Sequence, residues 1–192
     1  MEINEKRQPM CIEAKLGFFR RLQLKASDFY RITLSFLMGR PSNFSFFDEL
    51  LYASGIPYGR RAVEWIKGKG IKSIINLTEY DLDYDDLEKT HIPMKNGEPQ
   101  QPEVLHKAVK AIENYQKNKM TTLVHCSAGL GRTGMVLSCY LIYKYNMKAQ
   151  DALIKLRELR KGSVSDKIQE QCVYFYESWL ERNRRGVDNY EK

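Results

Sequence analysis

The sequence predicts an α/β fold built on a mainly parallel sheet, and three observations carry that expectation. Two compact runs, IKSIINL (71–77) and TTLVHC (121–126), have the apolar, β-branched character of strands buried on both faces. Helical apolar spacing lies between them, at Val104, Leu105, Ala108, Ile112 and Tyr115, and continues after them across 133–145. Strands that alternate with helices are joined by crossovers, and crossovers set neighbouring strands parallel.

Residues 1–13 are polar and read as a mobile lead-in. From Lys15 to Met38, apolar Leu16, Phe18, Phe19, Leu22, Leu24, Phe29, Ile32, Leu34, Phe36 and Leu37 alternate with basic side chains. This is the pattern of one or two amphipathic helices, stopped by Gly39-Arg40-Pro41. Residues 14–40 carry Lys15, Arg20, Arg21, Lys25, Arg31 and Arg40 against Asp28 alone, so most of the net charge of +7 sits there. A helical extension packed on the main domain is the first reading. A basic helix lying on a membrane surface through residues 15–38 is the second. The chain divides accordingly into an extension (1–41), a main domain (42–185) and a polar tail (186–192).

Within the main domain, LLYAS (50–54) is a short strand ended by Gly55-Ile56-Pro57, and a helix over 59–69 stops at Gly70. The strand 71–77 leads into an acidic loop, after which HIPM (91–94) reads as a further strand. The helix 102–118, the strand 121–126 and the helix 133–145 follow. The chain continues with a helix over 149–161, a break at Gly162-Ser163 and a helix over 166–183.

Composition narrows the function classes. With 43% hydrophobic and 29% charged residues the chain is an ordinary soluble globular protein. The four cysteines (Cys11, Cys126, Cys139, Cys172) form no CxxC pair, which argues against a zinc ribbon or disulfide framework and fits a reducing cytoplasm. Outside 14–40 the chain is near neutral, so no nucleic-acid partner is expected. No apolar run approaches the roughly 18 residues of a membrane span. In the loop EYDLDYDDLE (79–88), Asp81, Asp83 and Asp85 have the spacing of a calcium loop. Asp86 stands where that loop needs Gly, and Ile92 where it needs Glu, so no metal site is expected.

The chemistry concentrates in VHCSAGLGRTG (124–134). The strand delivers Cys126 to the carboxyl edge of the sheet, where α/β proteins hold ligands. The following helix starts near Arg132-Thr133 and turns its unpaired N–H groups back toward the loop. Ser127, Ala128, Gly129, Leu130 and Gly131 are small enough, or flexible enough, to wrap backbone amides around an oxyanion. Arg132 adds a planar fork that grips two phosphate oxygens. The same positive field lowers the pKa of a cysteine from about 8.5 to roughly 3.5–7.5, making Cys126 a thiolate nucleophile. Thr133 can donate its hydroxyl to that thiolate. His125, on the strand, is expected to order the loop by hydrogen bonding.

VHCSAGLGRTG resembles the signature loop of the cysteine-based protein tyrosine and dual-specificity phosphatases. Asn43-Phe44-Ser45, Gly55-Ile56-Pro57, Gly70-Ile71 through Leu77-Thr78-Glu79 and His91-Ile92-Pro93 are similar to the small atypical dual-specificity phosphatases and to minimal archaeal tyrosine phosphatases. The resemblance covers about residues 42–182. It implies a phosphotyrosine protein phosphatase-like sheet of four or five strands flanked by helices. It also implies a cysteinyl-phosphate intermediate and no metal or other cofactor. Cys126 then matches the nucleophile, Ser127–Arg132 the phosphate cradle, Thr133 its hydroxyl partner and Gln169 the glutamine that positions water. One position departs from the pattern. In HIPMKNGEPQQPE the family's acidic proton donor falls on Asn96, and an amide cannot serve. Glu98 is one replacement. A carboxylate of 79–88, or slow turnover of substrates with good leaving groups, is another. A substrate-trapping or phosphate-binding module without turnover is the third. Asn96-Gly97 is also prone to deamidation, which would restore a carboxylate.

The leading expectation is a monomeric cytoplasmic phosphatase that hydrolyses phosphotyrosine, and phosphoserine or phosphothreonine, in phosphorylated protein substrates. A phosphatase of inositol or phospholipid headgroup phosphates at a membrane is the alternative that the basic segment 15–38 favours. Ser127 and Leu130, which add no positive charge to the loop, count against it.

Overall fold

The computed structural model describes residues 18–188. The polar lead-in, Cys11, Lys15–Gly17 of the amphipathic segment and the last four residues lie outside the described residues. In chain order the elements are α1 (Phe18–Met38), β1 (Ser45–Asp48), β2 (Leu51–Ser54), α2 (Arg60–Lys67), β3 (Ser73–Asn76) and β4 (Glu88–His91). Then come α3 (Pro102–Lys117), β5 (Thr122–His125), α4 (Arg132–Tyr145), α5 (Ala149–Leu159) and α6 (Lys167–Asp188). The described part of the amphipathic segment is one helix, and α6 runs to Asp188, into the segment read as a tail.

Five strands form one sheet in the order β1-β2-β5-β3-β4, parallel except for the antiparallel β1–β2 edge. The expected mainly parallel sheet is borne out. In β5 every residue is buried, and register explains which face each one serves. Leu123 pairs with Tyr52 and Ile74, and these pack with Val63 and Ile66 of α2. Val124 pairs with Ala53 and Ile75, which pack with α3, α4 and α6 on the other face. The period-two alternation of strands thus builds two apolar layers. Each fully buried Ile or Leu in them contributes about 1.5–3 kcal/mol.

Two edges differ from the sequence expectation. β1 (SFFD) has no counterpart in that expectation, because only Phe47 of its four residues is buried and an edge strand carries little apolar signal. The strand expected at 91–94 instead occupies Glu88–His91. It pairs with Ser73–Asn76, and its side chains are exposed or half-buried, so the sequence there resembles a loop. Beyond His91 the Ile92 and Met94 N–H groups still donate to Asn76 O and Leu77 O, at 2.9 and 3.3 Å, and both side chains are buried.

Candidate active site

β5 ends at His125, and the chain turns through Cys126–Gly131 into α4, which begins at Arg132. Cys126 therefore stands at the carboxyl edge of the central strand, facing the first turn of a helix. Two glycines permit this path. Gly129 has φ 78°, and a Cβ there would come within 2.3 Å of the Ser54 carbonyl group. A Cβ on Gly131 would meet the Gln169 side-chain amide at 2.6 Å, which places Gln169 against the loop.

The loop is shaped from behind. Four successive carbonyls each accept a hydrogen bond from a different element. Cys126 O is held by His125 Nδ1 at 3.2 Å, and Ser127 O by the Ile56 N–H at 3.0 Å. Asn43 Nδ2 donates to Ala128 O at 2.8 Å, and Arg160 Nη2 to Gly129 O at 2.7 Å. In a trans peptide the N–H points opposite to the preceding C=O. Fixing these carbonyls outward turns the amides of 127–130 inward, and the Gly129 N–H donates to Cys126 Sγ at 3.2 Å. The result is an anion-binding nest.

His125 faces the α2 side of the sheet and is wholly buried. Burial drives its pKa down to about 3 against the opposing pull of the Cys126 carbonyl, with the Arg132 and His91 charges adding to the fall. The ring is neutral, so with Nδ1–H donating to Cys126 O, Nε2 accepts from Tyr84 Oη at 2.7 Å. Burial pushes the Tyr84 pKa up and keeps it a donor. His125 thus links the Cys126 carbonyl to the Tyr84 hydroxyl beneath the sheet edge.

Arg132 is 2% exposed, with Nη1 donating to Met94 O at 2.9 Å and Nη2 to Ser127 Oγ at 2.9 Å. Burial pushes the Cys126 thiol up. The Arg132 charge, the Thr133 hydroxyl and the amides of Thr133 and Gly129 outweigh it and leave the pKa below that of an ordinary thiol. Thr133 Oγ1 is buried and makes no hydrogen bond of ordinary geometry. Its electrostatic influence is on Cys126.

The segment around Asn96 is a closed turn. Gln100 Nε2 donates to Lys95 O and Glu98 O at 3.1 and 2.9 Å, and Gly97 has φ 75°. The Glu98 carboxylate pairs with Lys95 at 3.6 Å and with no residue of the loop. In the acidic loop, Asp81 is paired with Lys89 and Asp86 with Lys67. Asn96 Nδ2 instead donates to Asp28 Oδ1 of α1 at 3.0 Å, and the same oxygen lies 3.9 Å from Arg132 Nη2.

The structure therefore brings Cys126, Ser127–Gly131, Arg132, Thr133, His125 and Gln169 together, with Asn96 linked to Arg132 through Asp28 and Glu98 turned to Lys95. Sequence reasoning missed Arg160 and Asp28 and gave Asn43 and Tyr84 no role. For Asp28 a signal existed, as the single acid in a basic amphipathic segment. Arg160 carried none, since a basic residue at a helix end usually faces solvent.

Comparisons with known proteins agree with this geometry. The family described as Dual specificity phosphatase, catalytic domain, matches residues 58–178. Tyrosine-protein phosphatase cdc-14 of Caenorhabditis elegans is 29% identical over 145 residues, 70% of this chain and 20% of that protein. The chain spans about a quarter or less of the length of the curated relatives it matches. The crystal structure of Tk-PTP in the active form is 25% identical with a TM-score of 0.66, covering 71% of this chain and 97% of that one. PTPMT1 in complex with PI(5)P shares the fold at 15% identity and a TM-score of 0.66, over 74% of this chain and 99% of its own. With a thiol of lowered pKa and a buried arginine joined by a nest of amides, the chain belongs to the dual specificity phosphatase catalytic-domain family.

Proposed function

We propose that the protein hydrolyses phosphotyrosine, and phosphoserine and phosphothreonine, in phosphorylated proteins through a cysteinyl-phosphate intermediate. One observation carries the reading. A thiol with a lowered pKa sits in a loop whose amides are turned inward and whose far end presents Arg132. Cys126 attacks phosphorus, the amides of Ser127–Arg132 and the Arg132 fork hold the three non-bridging oxygens, and Thr133 steadies the thiolate when it leaves. Gln169 orients the water that cleaves the intermediate, a role supported by its side-chain amide lying against Gly131. The four cysteines form no CxxC pair, which supports a reducing compartment such as the cytoplasm.

The test is release of inorganic phosphate from a phosphotyrosine peptide and from phosphoserine and phosphothreonine peptides. Cys126→Ser abolishes release on this reading. Release that persists in that variant refutes the mechanism. A parent protein that binds the peptides without turnover establishes the binding-module alternative.

A second reading, hydrolysis of inositol or phospholipid headgroup phosphates at a membrane, has its own observation. α1 exposes Phe19, Leu22, Phe29, Phe36 and Leu37 beside exposed Arg21 and Lys25, which suits an anionic bilayer surface. A structural neighbour was solved with PI(5)P. Co-sedimentation with anionic liposomes that is unchanged after removing residues 1–40 dismisses it.

A further inference from the structure

We infer that Asp28 of α1 supplies the proton required by the leaving oxygen, in the role that Asn96 cannot fill. The inference rests on the cysteinyl-phosphate reading and deepens it.

α1 is seated against its own hydropathy. Leu24, Asp28, Arg31, Ile32 and Ser35 are spaced i, i+4, i+7, i+8 and i+11 and share the inward face. Of the α1 side chains whose burial is described, only Asp28 and Ser35 are buried, while Phe19, Leu22, Phe29, Phe36 and Leu37 stay exposed. Burying a carboxylate is costly unless it is paired and hydrogen-bonded. A helix that leaves aromatic rings in water while hiding its one acid is positioned by that acid. Asp28 is 5% exposed, and its Oδ1 meets Asn96 Nδ2 and faces Arg132 Nη2. The amide at the family's acid position therefore holds a carboxylate delivered from elsewhere in the chain.

Two further contacts fix α1 across this side of the loop. Near its start Arg20 is paired with Asp166, at the head of α6, which carries Gln169. Near its end Ser35 Oγ accepts from the Tyr58 N–H at 3.0 Å. The charged groups around Asp28 are Arg132 on the phosphate loop and Arg31 one turn along α1, with the Arg20–Asp166 pair beyond.

The step balances. The Cys126 thiolate forms the S–P bond as the ester O–P bond breaks, and the departing oxygen takes the Asp28 proton. Asp28 is then a carboxylate. In the second step it accepts a proton from water as the water oxygen bonds to phosphorus. The S–P bond breaks, and the thiolate and the protonated Asp28 are restored.

The experiment compares the parent, Asp28→Asn, Asp28→Glu, Glu98→Gln and Cys126→Ser on two substrates. One is a phosphotyrosine peptide, and the other a fluorinated umbelliferyl phosphate whose phenol departs without a proton. pH–rate profiles are recorded for each. Asp28→Asn lowers kcat/KM on phosphotyrosine by about 10²–10⁴-fold and abolishes the alkaline limb of the profile. It leaves the activated ester far less affected. Asp28→Glu restores part of the loss, and Glu98→Gln keeps the limb. An equal loss on both substrates marks a structural role and overturns the inference. So does an unchanged or raised rate on phosphotyrosine, the mark of a plug, and so does loss of the limb in Glu98→Gln. If Cys126→Ser still turns over the activated ester, the Cys126 reading fails and the inference with it. If that variant is inactive, those outcomes remove Asp28 alone.

Discussion

Arg160→Met removes a buried cation that ties three parts of the chain to the back of the phosphate loop. Arg160 lies at the end of α5 and is 5% exposed. Its Nη2 donates to Gly129 O at 2.7 Å and to Asn43 O at 3.0 Å. Its Nη1 reaches Ser45 Oγ and, at 3.4 Å, Ala53 O. Two of these are short bonds from a charged donor, each contributing about 1.5–3 kcal/mol, and losing both leaves two carbonyls without their donor. Against this, the variant no longer buries a charge, and relief of desolvation returns part of the loss. Burial already acts on the group in that sense, since it lowers the Arg160 pKa. The expected net fall in unfolding free energy is about 3 kcal/mol. It is measured as a shift in the urea midpoint at constant m. Because Gly129 loses its outward tether, affinity for orthovanadate falls as well. Arg160→Lys retains the charge but not the fork, and lies between parent and Met. A loss below about 1 kcal/mol with unaltered vanadate affinity refutes the view that this side chain shapes the loop.

Further outcomes follow from the same geometry. Arg132→Met removes the charge that lowers the Cys126 pKa, so the pH midpoint for alkylation by iodoacetamide moves upward. Because that pKa is depressed in the folded chain, thiolate stabilisation is present above the unfolded value and lost as pH falls through the folded one. Stability of the parent relative to Cys126→Ser therefore rises with pH across that window. His125, held at about 3 against an ordinary value of 6.5, acts in the same direction at lower pH. Urea midpoints of the parent fall as pH drops from about 6.5 toward 3, by up to about 1.4 kcal/mol per unit. His125→Gln loses that slope, and an unchanged slope counts against a neutral buried ring. Gly129→Ala forces a Cβ into the Ser54 backbone at positive φ, so vanadate binding is lost before the fold is.

What could be read from the sequence follows burial and local spacing. β3 and β5 were legible because they are covered on both faces, and the Cys126–Arg132 loop because strand, glycines and helix are contiguous. The edge strands were obscure or displaced because half-exposed residues such as Glu88–His91 resemble a loop until a partner strand is known. The long-range parts of the site left no local pattern. Arg160 reaches Gly129 across 31 residues, Asn43 reaches Ala128 across 85, and Asp28 reaches Asn96 across 68. The missing acid at Asn96 could be seen in the sequence. The carboxylate beside it could not, because only the docking of α1 brings the two together.

The four tethered carbonyls also determine when the work of arranging the site is done. Their donors are an imidazole, a backbone amide, a side-chain amide and a guanidinium, all set behind the loop and none dependent on the oxyanion. Orienting the dipoles is thus completed as the chain folds, and each catalytic cycle inherits the result. In calorimetric terms, an oxyanion entering such a loop orders little additional chain, so its binding carries a small heat-capacity change.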